Sequence, residues 1–209
     1  MPLVLMVGIP ASGKSTRAKQ LAEFLCARGV EVQIVNEELL GLNKREYLAD
    51  PTKEKIMRAS LKSNVKKHLD QSRVVILDSM NYIKGYRYEL FCLAREAMTT
   101  LALVWCDTHR ETAKQWCEEA AKEEESKGEA RDPFPPELFD DYASRLEFPN
   151  PAKRWDNPLF QLRADEDLPC EKIHEALMDV GKNKPRDPVS TKPQQKFDAN
   201  FLFELDKKT

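Results

Sequence analysis

Apolar and polar positions recur along this chain with two different periods, and the changes of period mark its elements. Leu3–Val7 is an unbroken apolar run closed by glycine and proline, the pattern of a strand buried on both faces. Behind it Ala18, Leu21, Ala22 and Leu25 return at helical spacing until Gly29 ends the segment. Val30–Val35 alternates and predicts a second strand. Asp50-Pro51 opens a helix whose periodic residues are Ile56, Ala59, Leu61, Val65 and Leu69. Arg73–Asp78 predicts a third buried strand ending on a carboxylate, Tyr86–Ala97 another helix, and Thr99–Cys106 a fourth strand. Alternation of strand and helix predicts an α/β fold, a parallel sheet with helices on both faces.

The texture changes after Thr108. A charged helix with little apolar stripe, KQWCEEAAKEEESKGEARD, leads into PFPPELFDDYASRLEFPN. Between Glu118 and Glu147 eleven acidic residues stand against four basic ones, so this part repels RNA. It reads either as a solvated helix or as a lid, at about 110–147, over a bound ligand. NPLFQL predicts a last edge strand and PCEKIHEALMDV a closing helix with Pro169 near its start. These elements make a first domain over residues 1–180. Residues 181–196 are rich in proline, lysine and polar side chains without an apolar period, and read as a linker. Residues 197–209 begin a new helical pattern that stops within three turns, the front edge of a second, helical domain cut short.

Composition narrows the function classes. At 209 residues, with 33 % charged and 41 % hydrophobic, the chain suits one globular domain with appendages. A net charge of −2 carries no global nucleic-acid signature, so RNA contact has to come from local patches. Apolar runs fall well short of the ~20 residues that span a bilayer, and MPLVLMVGIP lacks the basic start of a signal peptide. The chain reads as intracellular, cytoplasmic with the nucleus as a second compartment, without a membrane partner. Cys26, Cys92, Cys106, Cys117 and Cys170 form no C-x-x-C pair and read as buried reduced thiols.

The chemistry is concentrated behind the first strand. Gly8-x-x-x-x-Gly13-Lys14-Ser15 fits a phosphate-binding loop between strand and helix. Gly8, Ile9, Pro10, Ala11, Ser12, Gly13, Lys14, Ser15 and Thr16 turn backbone N–H groups toward phosphates, and the helix N-terminus adds its dipole. Lys14 is placed for the β- and γ-phosphates of ATP, Ser15 for Mg²⁺ and Thr16 for the α-phosphate. Asp78, at the end of the third strand, is the second carboxylate-side group for Mg²⁺ or for activating a nucleophile; the alternative is a helix cap. Glu37 and Glu38 end the second strand on the same edge, as a general base or as loop carboxylates. Arg154, like Arg145, lies near the end of the lid, where an arginine either stabilises γ-phosphate charge or forms a structural ion pair. Asn81, Tyr82, Lys84 and Arg87, with Tyr88 and Arg95, combine cations and aromatics suited to stacking on bases and contacting phosphates; the alternative is a helical surface with incidental charge. Thr52–His68 adds six Lys/Arg against one acid.

GIPASGKSTRAKQL, DSMNYIKGYRYELFCLAR and EFPNPAKRWDNPLF together closely resemble the Elongator-associated P-loop ATPases, the killer-toxin-insensitivity protein twelve family, which is related to the kinase of seryl-tRNA. The resemblance runs from Met1 to about Phe160, and ANFLFELDKKT looks like the start of that family's helical C-terminal domain. It implies a P-loop, kinase-like fold and a tRNA-dependent ATPase, with ATP and Mg²⁺, that assists Elongator in modifying wobble uridines. Gly8–Thr16 would bind ATP, and Asp78 the metal side. Relatives tend to read Asn-Asp-Glu where this chain has Asn36-Glu37-Glu38, and the lid is poor in arginine before Arg131. A kinase acting on a hydroxyl of an aminoacyl-tRNA or small molecule is the alternative, since a phosphate loop serves both.

Overall fold

The computed structural model describes residues 2–69, 73–127 and 133–178; the expected linker at 181–196, the helical start at 197–209 and Arg131 of the lid lie outside them. Five parallel strands form one sheet: β1 Leu3–Val7, β2 Glu31–Val35, β3 Arg73–Leu77, β4 Leu101–Asp107 and β5 Leu159–Arg163, in the order β2-β3-β1-β4-β5. In register, Leu3 lies against Val75 on one side and Leu101 on the other. The order reverses direction around β1, so the crevice at its carboxyl end is the place where such a sheet receives a ligand.

Period-two alternation splits each central strand between two cores. Leu3, Leu5 and Val7 join Val75, Leu77, Leu103 and Trp105 beneath α3 (Pro51–His68) and α4 (Lys84–Glu96). Val4 and Met6 face the other way, with Ile76 and Val104, onto α1 (Lys14–Ala27) and α7 (Cys170–Met178). Each such side chain, fully buried, contributes about 1.5–3 kcal/mol.

Helix signals place α3 as expected: Asp50 accepts from the Thr52 N–H at 2.7 Å and Pro51 occupies the first turn. Its inward face agrees with the expected one at Leu61 and Val65 and differs at Ile56 and Ala59. Ile56 is exposed, and Glu54, Met57, Leu61 and Val65 turn inward, because Glu54 finds partners in the core. The short α2 (Lys44–Leu48) is unanticipated, although Asn43 and Glu46 form the start of a capping box, Asn43 accepting from the Glu46 N–H at 3.0 Å.

The charged segment is α5 (Arg110–Lys127), and α6 (Phe139–Ser144) follows it. Ala113 and Cys117 of α5 are buried against Ile9 and Phe139, so a narrow apolar stripe seats this helix on the loop behind β1. Of the cysteines, only Cys106 and Cys117 are buried; Cys26 is exposed, on the outer side of α1.

Candidate active site

The loop between β1 and α1 takes its shape from two glycines. Gly8 has φ 154°, and a Cβ there would lie 2.8 Å from the Cys106 carbonyl oxygen and 2.5 Å from Ser12 Oγ. Gly13 caps α1 with φ 83° and no side-chain acceptor, leaving the first-turn N–H groups to face outward as an anion site. Two bonds fix the loop: the Gly8 N–H donates to the Met80 carbonyl at 3.3 Å, and Thr108 Oγ1 donates to the Ser12 carbonyl at 3.0 Å.

Lys14 is buried at the base of the loop, where its ammonium donates to the carbonyls of Gly8 (3.2 Å) and Ile9 (2.5 Å) and to Ser12 Oγ (3.3 Å). Burial lowers its pKa; Cys106, Asp78 and Glu37 act in the opposite sense. Ser15 and Thr16 stand exposed beside it.

Two clefts meet at Ala11, Lys14 and Ser15. The first, of about 630 Å³, runs along Ser12–Arg17 to Gln20 and is walled by Trp116 of α5 and the 164–168 segment after β5. Arg17 secures that segment by donating to the carbonyls of Arg163 and Glu166. The second, of about 210 Å³, brings Glu37, Lys44, Asp78 and Ser79 to Lys14 and Ser15, beneath Cys117, Ala120 and Phe134. Sequence reasoning missed Arg17, Gln20, Lys44, Ser79, Trp116 and the 164–168 wall. Trp116 alone had a signal, an aromatic in an otherwise charged helix.

The two neighbouring glutamates separate. Glu37 is buried and accepts from Ser79 Oγ at 2.6 Å; Glu38 is exposed and lines neither cleft. Burial raises the Glu37 pKa above its usual range, against the Ser79 hydrogen bond and Lys44, which favour the charged form. Asp78 is buried where β3 ends, its N–H donating to the Val35 carbonyl at 2.9 Å. The donor set of Ser15 hydroxyl and Asp78 carboxylate fits Mg²⁺, an oxygen-seeking ion that takes one or two carboxylates and leaves its other positions to phosphates and water. Among the described residues no group of three or more His, Cys, Asp or Glu could hold a metal by itself.

Four expected roles need correction. Asn81, Tyr82 and Arg87 are buried and do not offer themselves to RNA. Asn81, at φ 48°, donates through Nδ2 to the Met6 carbonyl at 2.7 Å, tying the segment after β3 to the end of β1. Tyr82 donates its hydroxyl to Glu54. Arg87 binds Asp156 through Nε at 2.8 Å, while its Nη1 donates to the carbonyls of Asn81 and Tyr82. The charges and rings of the motif thus brace the loop from within. Arg154 lies on the surface over the Phe91 ring and lines neither cleft, so it is not placed at the γ-phosphate position. Lys84 does remain exposed. Arg145 pairs with Asp141 and Glu54 and leans on Tyr142.

A sequence model of the family described as "Chromatin associated protein KTI12" matches residues 1–209. The chain belongs to the KTI12 family. The "Protein KTI12 homolog" of Xenopus laevis is 42 % identical over 209 residues, which cover all of this chain and 72 % of that protein. The homolog of Arabidopsis thaliana is 36 % identical over 223 residues, with the same coverage of 100 % and 72 %. Among solved structures, Chaetomium thermophilum Kti12 in complex with ADP-AlF3 is 33 % identical with a TM-score of 0.75, over 84 % of this chain and 99 % of that one. The APS kinase CysC of Mycobacterium tuberculosis superposes with a TM-score of 0.58 at 16 % identity, over 87 % of this chain and 98 % of that one, a likeness of fold. The fold is that of the P-loop kinases, as expected. No helix among the described residues is long and apolar enough to cross a membrane.

Proposed function

We propose that this KTI12 family member is a tRNA-dependent ATPase that binds ATP with Mg²⁺ and assists Elongator in modifying tRNA wobble uridines, in the cytoplasm and the nucleus. The observation that carries the nucleotide part is the meeting of Lys14, Ser15, Asp78 and Glu37 where the two clefts join. The ADP-AlF3 complex of the Chaetomium relative supports nucleotide binding, and the family's description supports the nuclear part. The larger cleft takes the nucleoside: Trp116 offers a half-exposed ring, and residues 164–168 line the same cleft.

In this reading the loop N–H groups and Lys14 bind the phosphates, Lys14 leaving its own loop carbonyls for the β- and γ-oxygens. Ser15 and Asp78 hold Mg²⁺, which when bound offsets phosphate charge. Glu37, with its raised pKa, orients the attacking water and accepts its proton, and Ser79 fixes the carboxylate. A second reading, γ-phosphoryl transfer to a hydroxyl, is favoured by the cavity beside Glu37, whose mixed polar and apolar walls could hold a small side chain.

Hydrolysis of [γ-³²P]ATP with and without tRNA separates them. We expect free phosphate, released faster with tRNA, and a loss of about 100-fold or more in Lys14→Ala. Label retained on RNA establishes the kinase instead, and undiminished turnover in Lys14→Ala removes the loop from catalysis.

A further inference from the structure

The expected RNA-binding motif turns its middle inward, but its flanks turn outward. Lys84 and Tyr88 are one helical turn apart on α4 and both exposed, and Phe91, three residues further on, is buried in the core next to them. The 151–155 turn lies across it. Trp155 meets Tyr88 edge-on at 5.4 Å, with Lys84 Nζ 5.7 Å from its ring, and Arg154 sits 5.6 Å over Phe91, which stacks on Tyr88 at 6.2 Å. Lys153 is exposed beside them.

The basic face of α3 makes a useful contrast. Lys53 pairs with Glu46, Arg58 with Glu54, Lys62 with Glu89 and Lys66 with Glu96. Glu89 and Glu96 belong to α4, so one edge of that helix neutralises the side of α3 that faces it, and of the six α3 cations Lys55 and Lys67 are without such a pair among the described residues. Along the other edge no carboxylate among the described residues pairs with Lys84, Lys153 or Arg154. Three cations without a carboxylate partner beside the exposed Tyr88 ring and the partly buried Trp155 ring match a single-stranded or looped polyanion with a base to stack, and α5, rich in acid, does not.

We propose that this face, formed by Lys84, Tyr88, Lys153, Arg154 and Trp155, is where tRNA is held, its phosphates on the three cations and an unpaired base on Tyr88. The proposal rests on the tRNA-dependent reading above and supplies the surface that reading lacks. It also supplies a route to the nucleotide site. The Lys84 N–H donates to the Glu147 carboxylate and the Glu147 N–H to the Tyr82 carbonyl at 3.0 Å, so the face adjoins the segment that carries Asp78 and Met80.

The test is fluorescence-anisotropy binding of bulk tRNA to the full chain over a series of salt concentrations. Two triple variants are compared: Lys84→Ala/Lys153→Ala/Arg154→Ala on the face and Lys53→Ala/Lys62→Ala/Lys66→Ala on α3. Thermal melts check that both fold. We expect the face variant to lose at least about tenfold in affinity at low salt, with a log–log salt slope shallower by about one unit per cation removed. The α3 variant should stay within about twofold. Tyr88→Ser should lower affinity about fivefold or more and leave the slope unchanged, because stacking releases no counterions. Equal losses in the two triples overturn the proposal. tRNA binding retained by the face variant at every salt concentration also overturns it, and leaves an acidic protein as the partner of this face. A wild-type chain that binds no tRNA at low salt overturns both the proposal and the tRNA-dependent reading.

Discussion

Glu37 and Glu54 are both glutamates withdrawn from solvent, 6 % and 4 % exposed, yet their surroundings differ completely. The Glu54 carboxylate is saturated: Tyr82 and Arg58 reach one oxygen, and Tyr142 (3.1 Å) and Arg145 (3.4 Å) the other. These partners come from the segment before α4, from α3 itself and from α6, so one carboxylate ties three parts of the chain together. Among the described residues Glu37 has one close side-chain donor, Ser79, and it opens into the cleft that holds Lys14 and Asp78. The contrast separates a buried charge whose partners are complete from one that faces a ligand cleft, as the proposed base does. A satisfied carboxylate has no free lone pair for chemistry, whereas an under-partnered one beside a ligand cleft keeps a site for a proton.

Asp156 belongs with Glu54, and its pair with Arg87 is the most enclosed in the molecule's described part, at 1 % and 0 % exposure. Breaking it gives the largest expected effect. Arg87→Ala leaves Asp156 uncompensated and frees the carbonyls of Asn81 and Tyr82, and should cost about 3–5 kcal/mol in urea unfolding. In the double variant with Asp156→Ala the two losses should fall well short of adding. An Arg87→Ala chain of wild-type stability, reduced only in tRNA binding, would return Arg87 to the RNA surface.

A smaller effect is expected at Glu54. Glu54→Gln keeps the shape but replaces charge-assisted bonds with neutral ones and gives one oxygen's position to an amide facing the donors of Tyr142 and Arg145. We expect a loss of about 1–3 kcal/mol by the same measurement, with the affinity for a fluorescent ATP analogue unchanged. Weakened nucleotide binding at unchanged stability would make the distinction between the two glutamates wrong.

The sheet and the loop were legible because their signals are local. Leu3–Val7 needs neither partner nor context to read as a buried strand, and Gly8, Gly13 and Lys14 act through backbone shape and one charge. The α/β class and the parallel sheet follow from alternation, and the structure agrees; the strand order comes from the structure alone. The inside and outside of a helix were harder. Arg87, Asn81 and Tyr82 look like surface recognition residues because cations and polar aromatics usually are exposed, and only the distant Asp156 and Glu54 explain why they are not. Glu54 likewise rotates α3 away from the face that Ile56 suggests. Trp116 and the 164–168 wall lie nearly fifty residues apart and meet across the first cleft, which no spacing could show. Of the two glutamates after β2, identity alone did not choose; burial did.

The smallest expected effect is also the sharpest, because its sign is opposite to that at Glu54. Burial raises the Glu37 pKa above 4.5, so the folded chain keeps this proton to higher pH than the unfolded chain. The stability it contributes is complete below about pH 4.5 and is lost as pH rises through the folded value, where a charge must be held in the interior. Glu37→Gln is uncharged at every pH and still accepts from Ser79 through Oε1. At pH 7 it should therefore be more stable than wild type, with a higher midpoint in thermal melts. That advantage should shrink as pH is lowered toward 4.5. ATP hydrolysis should fall by about 10²–10⁴ over the same range, since the amide accepts no proton from water. A Glu37→Gln chain less stable than wild type at pH 7, with hydrolysis intact, would mean that Glu37 holds the fold together as Glu54 does and that the base lies elsewhere.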